Sequence, residues 1–297
     1  MLSILIPTYN YNITRLVNDL HQQAMDAMVG FEMIVLEDGS TKFLEENKEI
    51  ERLSSVKYEV LSENIGRSAI RNKLADKAQY NYLLFLDCDA EIRNQNFIRR
   101  YISCCADIVV VLGGRIYDDS VSPEYSLIWR YGTGRERNDL KNQHSRQKYT
   151  VFTSPNFLIS KSVFSEVRFD ESIKGYGHED TIFGIELDNK GLKLTFVDNP
   201  VVHVGLEDNK TFVLKTENAL RNLCHLYQSK KYPTLVKSSK ILSSFVCIKK
   251  YRLHFVLSFF FQVFKRVLLK NLHGDNPSLF VFDCYKLGFL CKISCVR

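Results

Sequence analysis

Residues 83–91 read LLFLDCDAE, a continuous apolar run that ends in two aspartates one residue apart, Asp87 and Asp89. The apolar run predicts a buried strand. Because alternate residues of a strand point to the same side, both carboxylates would project into the crevice at the carboxyl end of an α/β sheet, where ligands bind. Two hard carboxylates there suit Mg²⁺ or Mn²⁺ held together with substrate phosphates. The alternative is a turn that the aspartates cap.

Strand candidates alternate with amphipathic helix candidates through the first ninety residues. A βα series with short connections predicts a mostly parallel sheet covered by helices, with a nucleotide bound at the strand ends. The predicted strands are residues 3–7, 31–37, 57–61 and 82–87, and the predicted helices are residues 14–28, 42–53 and 68–78.

Polar residues follow the first two predicted strands. The tyrosine after the first strand can stack on a base or ribose. The acidic pair after the second strand can accept hydrogen bonds from a uracil ring or ribose hydroxyls, with a capped turn as the alternative. These residues are Pro7, Thr8, Tyr9 and Asn10 after the first strand and Glu37 and Asp38 after the second.

The loop after the third predicted strand carries Asn64, Gly66 and Arg67, and Arg71 lies one turn into the next helix. The free amides at a helix amino terminus favour anions, and arginine pairs well with phosphate. We therefore expect Arg67 or Arg71 to contact a diphosphate.

Composition and charge define two regions of different character. The 297 residues are 45% apolar, enough for one sizeable core or two small ones, and the formal net charge is +6. Residues 1–229 carry a net charge of −5, which argues against nucleic-acid binding by the main body. Eight cysteines without paired spacing and an amino terminus without a secretion signal indicate reduced thiols and a cytoplasmic location.

The carboxyl-terminal residues 221–297 are expected to form a helical, basic and aromatic extension. Residues 230–297 contain 13 Lys or Arg against two acidic residues, and nine of the 20 phenylalanines. Their longest apolar stretch, roughly residues 253–264, is shorter than the ~20 residues that a membrane-spanning helix needs. Residues 240–297 are predicted either to lie on the anionic inner face of the plasma membrane or to pack as a helical subdomain on the main body.

The polar segments together resemble a known family. PTYN, EDGS, ENIGRSAIRN and DCD, in this order, are similar to the nucleotide-binding half of family 2 glycosyltransferases, whose fold is GT-A. FDES at residues 169–172 and GYGHEDTIFG at residues 175–184 resemble the acceptor half, where the usual form is close to WGxED. The resemblance implies a GT-A domain over residues 1–220, with a nucleotide-sugar half, 1–110, and an acceptor half, 111–220.

This resemblance implies the chemistry and the roles of several residues. The chain would move a hexose or N-acetylhexosamine from a UDP-sugar to a carbohydrate or lipid-linked glycan, with inversion and with Mn²⁺ or Mg²⁺. Asp180 would be the general base, and Glu179 would hold sugar hydroxyls. Asp89 would be the more direct metal ligand and Asp87 would lie partly on the ribose side, while His203 is either a third ligand or a structural histidine.

The chain departs from the family pattern at two of these positions. Glu37 stands where an aspartate is more usual, so Asp38 is the alternative principal contact to the nucleotide. His178 stands where the family often has glycine, and it would contact the donor or fill space.

A polar segment, residues 130–149, is predicted to be a mobile loop between the two halves. It is either a lid whose Arg135 or Arg137 meets the diphosphate or a solvated insert.

Two other functions remain open from the sequence. A sugar nucleotidyltransferase shares a similar sheet and metal site, but it requires a glycine-rich loop where this chain has PTYN. A membrane-associated protein that binds a nucleotide sugar without turnover is the alternative from another class.

Overall fold

In a computed structural model of the chain, the structure describes residues 1–105, 110–143 and 152–295, with the side chains of residues 135–143 outside the description. Within these ranges a large central sheet, a small second sheet and a carboxyl-terminal group of helices form the fold. The strands are β1 Leu2–Thr8, β2 Phe31–Glu37, β3 Val56–Val60, β4 Tyr82–Leu86, β5 Ala90–Glu91, β6 Val110–Leu112, β7 Arg115–Ile116, β8 Asn156–Ser160, β9 Thr195–Phe196 and β10 Val201–His203. The helices are α1 Thr14–Asp26, α2 Leu44–Lys48, α3 Arg67–Lys77, α4 Phe97–Ile102, α5 Ser126–Gln143, α6 Lys161–Glu166, α7 Glu179–Asn189, α8 Asn209–Ser229, α9 Leu235–Ser238, α10 Lys240–Lys250, α11 His254–Leu272 and α12 Leu279–Cys295.

The central sheet has the strand order β3-β2-β1-β4-β8-β6-β9. Its first four strands are parallel, and β8 runs antiparallel between β4 and β6. Apolar side chains cover both faces of the central strands β1, β2, β4 and β8, which are buried on both sides, whereas the edge strand β3 is largely exposed. The four strands predicted for the first ninety residues, two of the three helices and the α/β class are confirmed. The helix predicted over residues 42–53 is shorter, since α2 ends at Lys48 and a 3₁₀ turn covers Glu49–Arg52.

The small sheet places a histidine beside the end of β4. Its order is β5-β10-β7, and His203 of β10 pairs in register with Ala90 of β5. Since β5 directly follows Asp89, this pairing brings a residue more than one hundred positions away next to the DCD segment. Strands of two or three residues carry too little periodicity to be found from sequence.

The segment predicted to be a loop contains a helix. Helix α5 runs to Gln143, so the loop prediction for 130–149 is wrong for residues 130–143, while residues 144–149 and the side chains of Arg135 and Arg137 lie outside the description. Gly132 within this helix has a packing role, since a Cβ there would lie 2.2 Å from the ring of Tyr117. Missing side-chain volume therefore lets α5 approach β7.

The carboxyl-terminal helices share one apolar core with the acceptor half. Phe282 and Tyr285 of α12 pack in the same cluster as Leu127 of α5 and Ile182 of α7. This confirms the helical extension and shows that its inner side is buried on the main body. Helix α8 runs across the expected boundary between residues 1–220 and 221–297. The division of the chain into these two domains remains a prediction. Among the described residues, none of the helices combines the length and the apolar character that crossing a bilayer requires.

Asp170 of the FDES segment fastens the extension to the main body. Its carboxylate accepts hydrogen bonds from Ser172, from Lys231 Nζ at 2.8 Å and from the Tyr232 hydroxyl at 2.5 Å. Burial opposes ionisation of Asp170, but these donors outweigh it and hold its pKa well below the usual range. The ionised carboxylate therefore links the loop before α7 to the connection between α8 and α9.

Replacing Asp170 by Asn is expected to lower the free energy of unfolding by about 2 kcal/mol, because hydrogen bonds to a charged group are lost. A carboxylate with a depressed pKa stabilises the fold above its unfolded pKa of ~3.9, and this contribution disappears as the pH falls through the folded value. Urea unfolding at pH 7 and at about pH 2.5, which lies below the unfolded pKa, measures both effects. The exposed Asp188→Asn is the control, and equal stability of the two variants at pH 7 would contradict the role of Asp170.

Candidate active site

The loops after β1 and β2 are locked together by Asn10. Its side-chain oxygen accepts hydrogen bonds from the backbone amides of Thr41 at 2.8 Å and Lys42 at 3.1 Å. The backbone amide of Asn10 donates to Ser40 Oγ. Thr8, at the end of β1, is buried, whereas 54% of Tyr9 is exposed. Of the predicted PTYN residues, Tyr9 is therefore the one that is largely exposed, and Asn10 shapes the loop.

Glu37 lies inside the protein. Its carboxylate is fully buried and accepts hydrogen bonds from Ser40 Oγ, from Asn47 Nδ2 at 2.7 Å and from the Tyr58 hydroxyl at 3.1 Å. The placement corrects the expectation that Glu37 contacts the nucleotide, because its oxygens are used within the protein. The sequence identified the acidic pair but could not show which way this side chain points.

Asp38 holds the loop that follows β3. Its two oxygens accept from the amides of Ile65 at 2.7 Å and Gly66 at 3.1 Å. Burial raises the pKa of Asp38 despite these two hydrogen bonds. The loops approach so closely that a Cβ on Gly39 would lie 2.5 Å from the amide nitrogen of Asn64. Asp38 thereby fixes the start of α3, where the predicted residues Asn64, Gly66 and Arg67 lie.

Arg71 is a buried partner of Asp87. The Arg71 side chain is 2% exposed, and its Nη2 donates to Asp87 Oδ1 at 2.8 Å. Its guanidinium also lies 5.4 Å from the ring centre of Phe169. The expectation of a diphosphate contact is corrected for Arg71, because the guanidinium is enclosed and paired. Arg71 instead orients the first aspartate of the DCD segment.

Asp89 and His203 meet at the junction of the two sheets. His203 Nε2 lies 2.9 Å from Asp89 Oδ2, and the other ring nitrogen, Nδ1, is buried without a hydrogen-bond partner among the described residues. Burial alone would raise the pKa of Asp89, but the hydrogen bond and charge of His203, with the charges of Arg67 and Arg115, hold it below its usual value. A Cβ on Gly205 would lie 2.5 Å from Cβ of Asp89, so this glycine gives the next loop room to close over the pair.

This pair suits a cation that the substrate helps to hold. In the described part of the chain, His, Cys, Asp and Glu side chains form no group of three or more arranged around a metal position. Asp89 and His203 nonetheless supply carboxylate and imidazole donors, and Mg²⁺ in nucleotide enzymes is bound by one or two carboxylates plus phosphate oxygens. The donor set therefore fits an ion completed by a diphosphate, with Asp87 turned toward Arg71.

Arg67 is the half-exposed arginine at this edge. Its Nη1 lies 3.6 Å from Glu179 Oε1, and its guanidinium lies 4.9 Å from the ring centre of Tyr176. Glu179 is buried and accepts from the Gly177 amide at 3.0 Å. Of the two predicted arginines, Arg67 is the exposed one, at 44% against 2% for Arg71. Glu179 fixes the turn before α7 and pairs with Arg67.

Asp180 carries a carboxylate oxygen with no partner. Oδ2 accepts from the Ser154 amide at 3.1 Å, whereas Oδ1 is buried and has no hydrogen-bond partner among the described residues. Burial, followed by the charge of Glu179, raises the pKa of Asp180 and outweighs the positive charge of Arg71. A buried carboxylate whose pKa is raised is suited to accept a proton.

The turn before α7 contains a strained backbone. His178 has a left-handed φ of +75°, a region that favours glycine, and its ring lies 3.4 Å from Thr181 Oγ1. Strain therefore explains why glycine suits this position. Gly177 is needed for packing, since its Cβ would lie 2.5 Å from Cβ of Ala219. Gly177 therefore makes room for α8.

Three residues near the site were missed by sequence reasoning. The charge of Arg115 acts on both Asp89 and Tyr176, and Tyr117 packs edge-on against His203 with ring centres 5.5 Å apart. Burial raises the pKa of Tyr176 to about 12. Arg115 and Tyr117 reach the site because β7 pairs with β10, and no local motif signals this.

A cleft of about 660 Å³ opens beside the first turn of α3. It extends between the loop after β3 and the loop that precedes the GYGH turn. Its lining is polar and mixed in charge, and it includes Asn64, Gly66, Lys73, Asp76, Glu171 and Lys174.

Comparison with known proteins places the chain among sugar-transferring enzymes. Residues 3–168 match the family model Glycosyl transferase family 2. A chondroitin synthase of Escherichia coli is 26% identical over 238 residues, which cover 68% of this chain and 34% of that protein. A chondroitin synthase of Pasteurella multocida (strain Pm70) is 26% identical over 244 residues, which cover 68% of this chain and 24% of that protein. The chain spans about a third or less of the length of these relatives.

Two solved structures share its fold. The mannosyltransferase PcManGT from Pyrobaculum calidifontis, in complex with GDP-Man and Mn²⁺, has a TM-score of 0.57 at 12% identity. The match covers 99% of this chain and 86% of that protein. S. aureus TarS 1-349, in complex with UDP-GlcNAc, has a TM-score of 0.53 at 17% identity, and the match covers 99% of this chain and 91% of that structure. These similarities confirm the GT-A fold. Because the family model matches more than half of the residues, the chain belongs to glycosyl transferase family 2.

Proposed function

We propose that the chain transfers a hexose or N-acetylhexosamine from a UDP-sugar to a hydroxyl of a carbohydrate or lipid-linked glycan, with inversion. The single observation that carries this proposal is the unpartnered, buried oxygen of Asp180, whose pKa is raised and whose neighbour Glu179 pairs with Arg67. The names of the curated relatives support a polysaccharide product, and the TarS complex supports a UDP-sugar donor.

Different residues of the chain have different roles in the proposed reaction. Asp180 takes the proton of the acceptor hydroxyl, whose oxygen attacks the donor carbon as the bond from that carbon to the diphosphate breaks. Asp89, with His203, would hold a Mn²⁺ or Mg²⁺ ion, which would supply positive charge to the departing diphosphate. Arg67 adds a second positive charge beside it. An unpartnered base acting directly on the acceptor suits a single displacement, which inverts the donor carbon.

The remaining predicted residues have proposed roles in donor binding. The exposed ring of Tyr9 stacks on the uracil or ribose, and Asp38 keeps the loop with Asn64 and Gly66 against the nucleotide. Asp87, oriented by Arg71, faces the ribose.

The nucleotide and the sugar are bounded by three further predicted residues. Pro7 and Thr8 end β1 beneath the nucleotide, and His178 borders the donor sugar.

We also propose a peripheral location at the cytoplasmic face of the plasma membrane. Residues 240–297 hold ten Lys or Arg against two acidic residues, and this basic excess supports contact with anionic lipid.

Asp180→Asn is expected to lower sugar transfer by about 10²–10⁴-fold, because the group that takes the acceptor proton is lost. UDP affinity should stay within about threefold, since Asp180 acts on the acceptor. UDP release and calorimetric UDP titration measure the two quantities, with Asp188→Asn as the control. In the wild type, kcat/KM should fall as the pH drops through a pKa above the ordinary ~3.9 of an aspartate. Full turnover by the asparagine variant would remove Asp180 as the base.

Asp89→Ala is expected to reduce Mn²⁺-dependent UDP binding at least tenfold, because the carboxylate of the cation site is removed. Calorimetry with UDP in Mn²⁺ and in EDTA gives the measurement, and the exposed Asp198→Ala is the matched control. Wild-type UDP binding that is identical in Mn²⁺ and EDTA would contradict the metal site. Tight metal-dependent binding without turnover of any UDP-sugar, even with mixed acceptors, would instead favour a binding protein.

Arg71→Met is expected to destabilise the protein by about 3 kcal/mol, because Asp87 would keep a half-enclosed charge without its partner. The double variant Arg71→Met with Asp87→Asn should recover part of that loss, as expected for two residues that interact directly. Urea unfolding of the two single variants and the double variant completes the cycle. Unchanged stability together with weaker UDP binding would return Arg71 to the diphosphate role.

A further inference from the structure

Helix α11 has an apolar outer face as well as a buried inner one. Phe261 and Leu272 point into the core shared with α8 and α12. Seven apolar residues on the other side are between 50% and 65% exposed. They are Phe255, Val256, Phe259, Phe260, Val263, Phe264 and Val267. We call these seven residues the outer face of α11.

The outer face is a continuous stripe rather than scattered exposure. Its members form two adjacent rows along the helix, residues 255, 259, 263 and 267 and residues 256, 260 and 264. Within each row the residues are four positions apart and therefore lie on the same face. Phe, Tyr and Trp each have ~150–250 Å² of surface to bury, so four half-exposed phenylalanines alone present on the order of 300–500 Å². That area already equals the largest apolar patch of a typical monomer, and such patches mark interaction surfaces.

The charge around the outer face selects the kind of partner. Residues 230–274 contain ten Lys or Arg and no acidic residue. Lys249, Lys250 and Arg252 are exposed just before α11, and Arg266 and Lys270 are exposed near its end. Two copies joined through this face would bring like charges together, which opposes self-association. An apolar stripe between basic side chains complements an anionic lipid surface.

We propose that α11 lies in the plane of an anionic bilayer, with its outer face at the boundary of headgroups and acyl chains. The basic residues at both ends of the helix then contact lipid phosphates, while Phe261 and the inner side stay packed on the protein. The outer face of α11 is then the surface that holds the chain at a membrane. Binding through this face does not depend on the proposed transfer reaction.

Helix α8 connects this surface to the candidate active site. On one side Glu217 accepts from Tyr285 and pairs with Lys265 of α11. On the other side Asn222 donates to the carbonyls of Lys174 and Tyr176, in the loop before α7. The bilayer would therefore lie one layer of helices from the site, within reach of an acceptor that is anchored in lipid.

Flotation of the full-length chain with vesicles tests the proposal. Wild type should float with vesicles of 30% phosphatidylglycerol in phosphatidylcholine, and much less with phosphatidylcholine alone, an effect that about 0.5 M salt reduces. The double variant Phe260→Glu with Phe264→Glu should lower the bound fraction at least tenfold. Leu214→Glu, at a 62% exposed position of α8, and Met28→Glu, at a 92% exposed position, are matched controls that should bind as wild type does.

Three outcomes would overturn the proposal. Equal flotation of the double variant and wild type would exclude the outer face. Failure of wild type to bind the anionic vesicles would exclude the membrane as its partner. A wild-type dimer in sedimentation that the double variant abolishes would assign the face to a second copy. Thermal unfolding of each variant confirms that it is folded. UDP release in detergent-free solution is measured separately, so loss of vesicle binding and loss of turnover are distinguishable.

Discussion

The buried ion pair between Arg71 and Asp87 is the contact on which the site depends. It joins α3 to the end of β4, and the guanidinium also packs on Phe169 of the acceptor half. The same charge acts on Asp180, whose pKa would be higher without it. A single enclosed cation therefore orients one aspartate and lowers the pKa of another, although burial and Glu179 outweigh it there. A buried charge without its partner is unfavourable by several kcal/mol, so these groups must be placed together for the fold to be stable.

Sequence reasoning identified the sheet because long strands have a clear signal. Residues 2–6, 31–36 and 82–86 each contain four or five apolar residues, and parallel pairing then requires the ends of these strands to meet at one edge. It failed where function depends on the direction of a side chain. Glu37 and Arg71 have the right chemistry for a nucleotide and lie in the right segments, but both are enclosed and paired inside the protein. Polarity in a sequence does not distinguish a ligand contact from an internal hydrogen bond.

The other differences have a common physical origin in close packing between distant segments. Gly132, Gly177 and Gly205 each stand where a Cβ would collide with a neighbour, namely Tyr117, Ala219 and Asp89. Read locally, these glycines suggest loops or space for a ligand. In the structure they let α5, α8 and the loop after β10 close around the site. Information of this kind lies in contacts between residues that are 15 to 116 positions apart, and no local pattern reports it.

His178 shows how this packing maintains strain beside the reactive groups. A non-glycine residue at φ +75° is unfavourable by about 1–3 kcal/mol, and it persists only where its surroundings fix the turn. Gly177 packs on Ala219, and Glu179 accepts from the Gly177 amide, so the residues on both sides of His178 are held. The strained residue therefore rests on α8 and on the amino terminus of α7, which also carries Asp180. Relaxing this turn would move the base, because the two residues are separated by Glu179 alone.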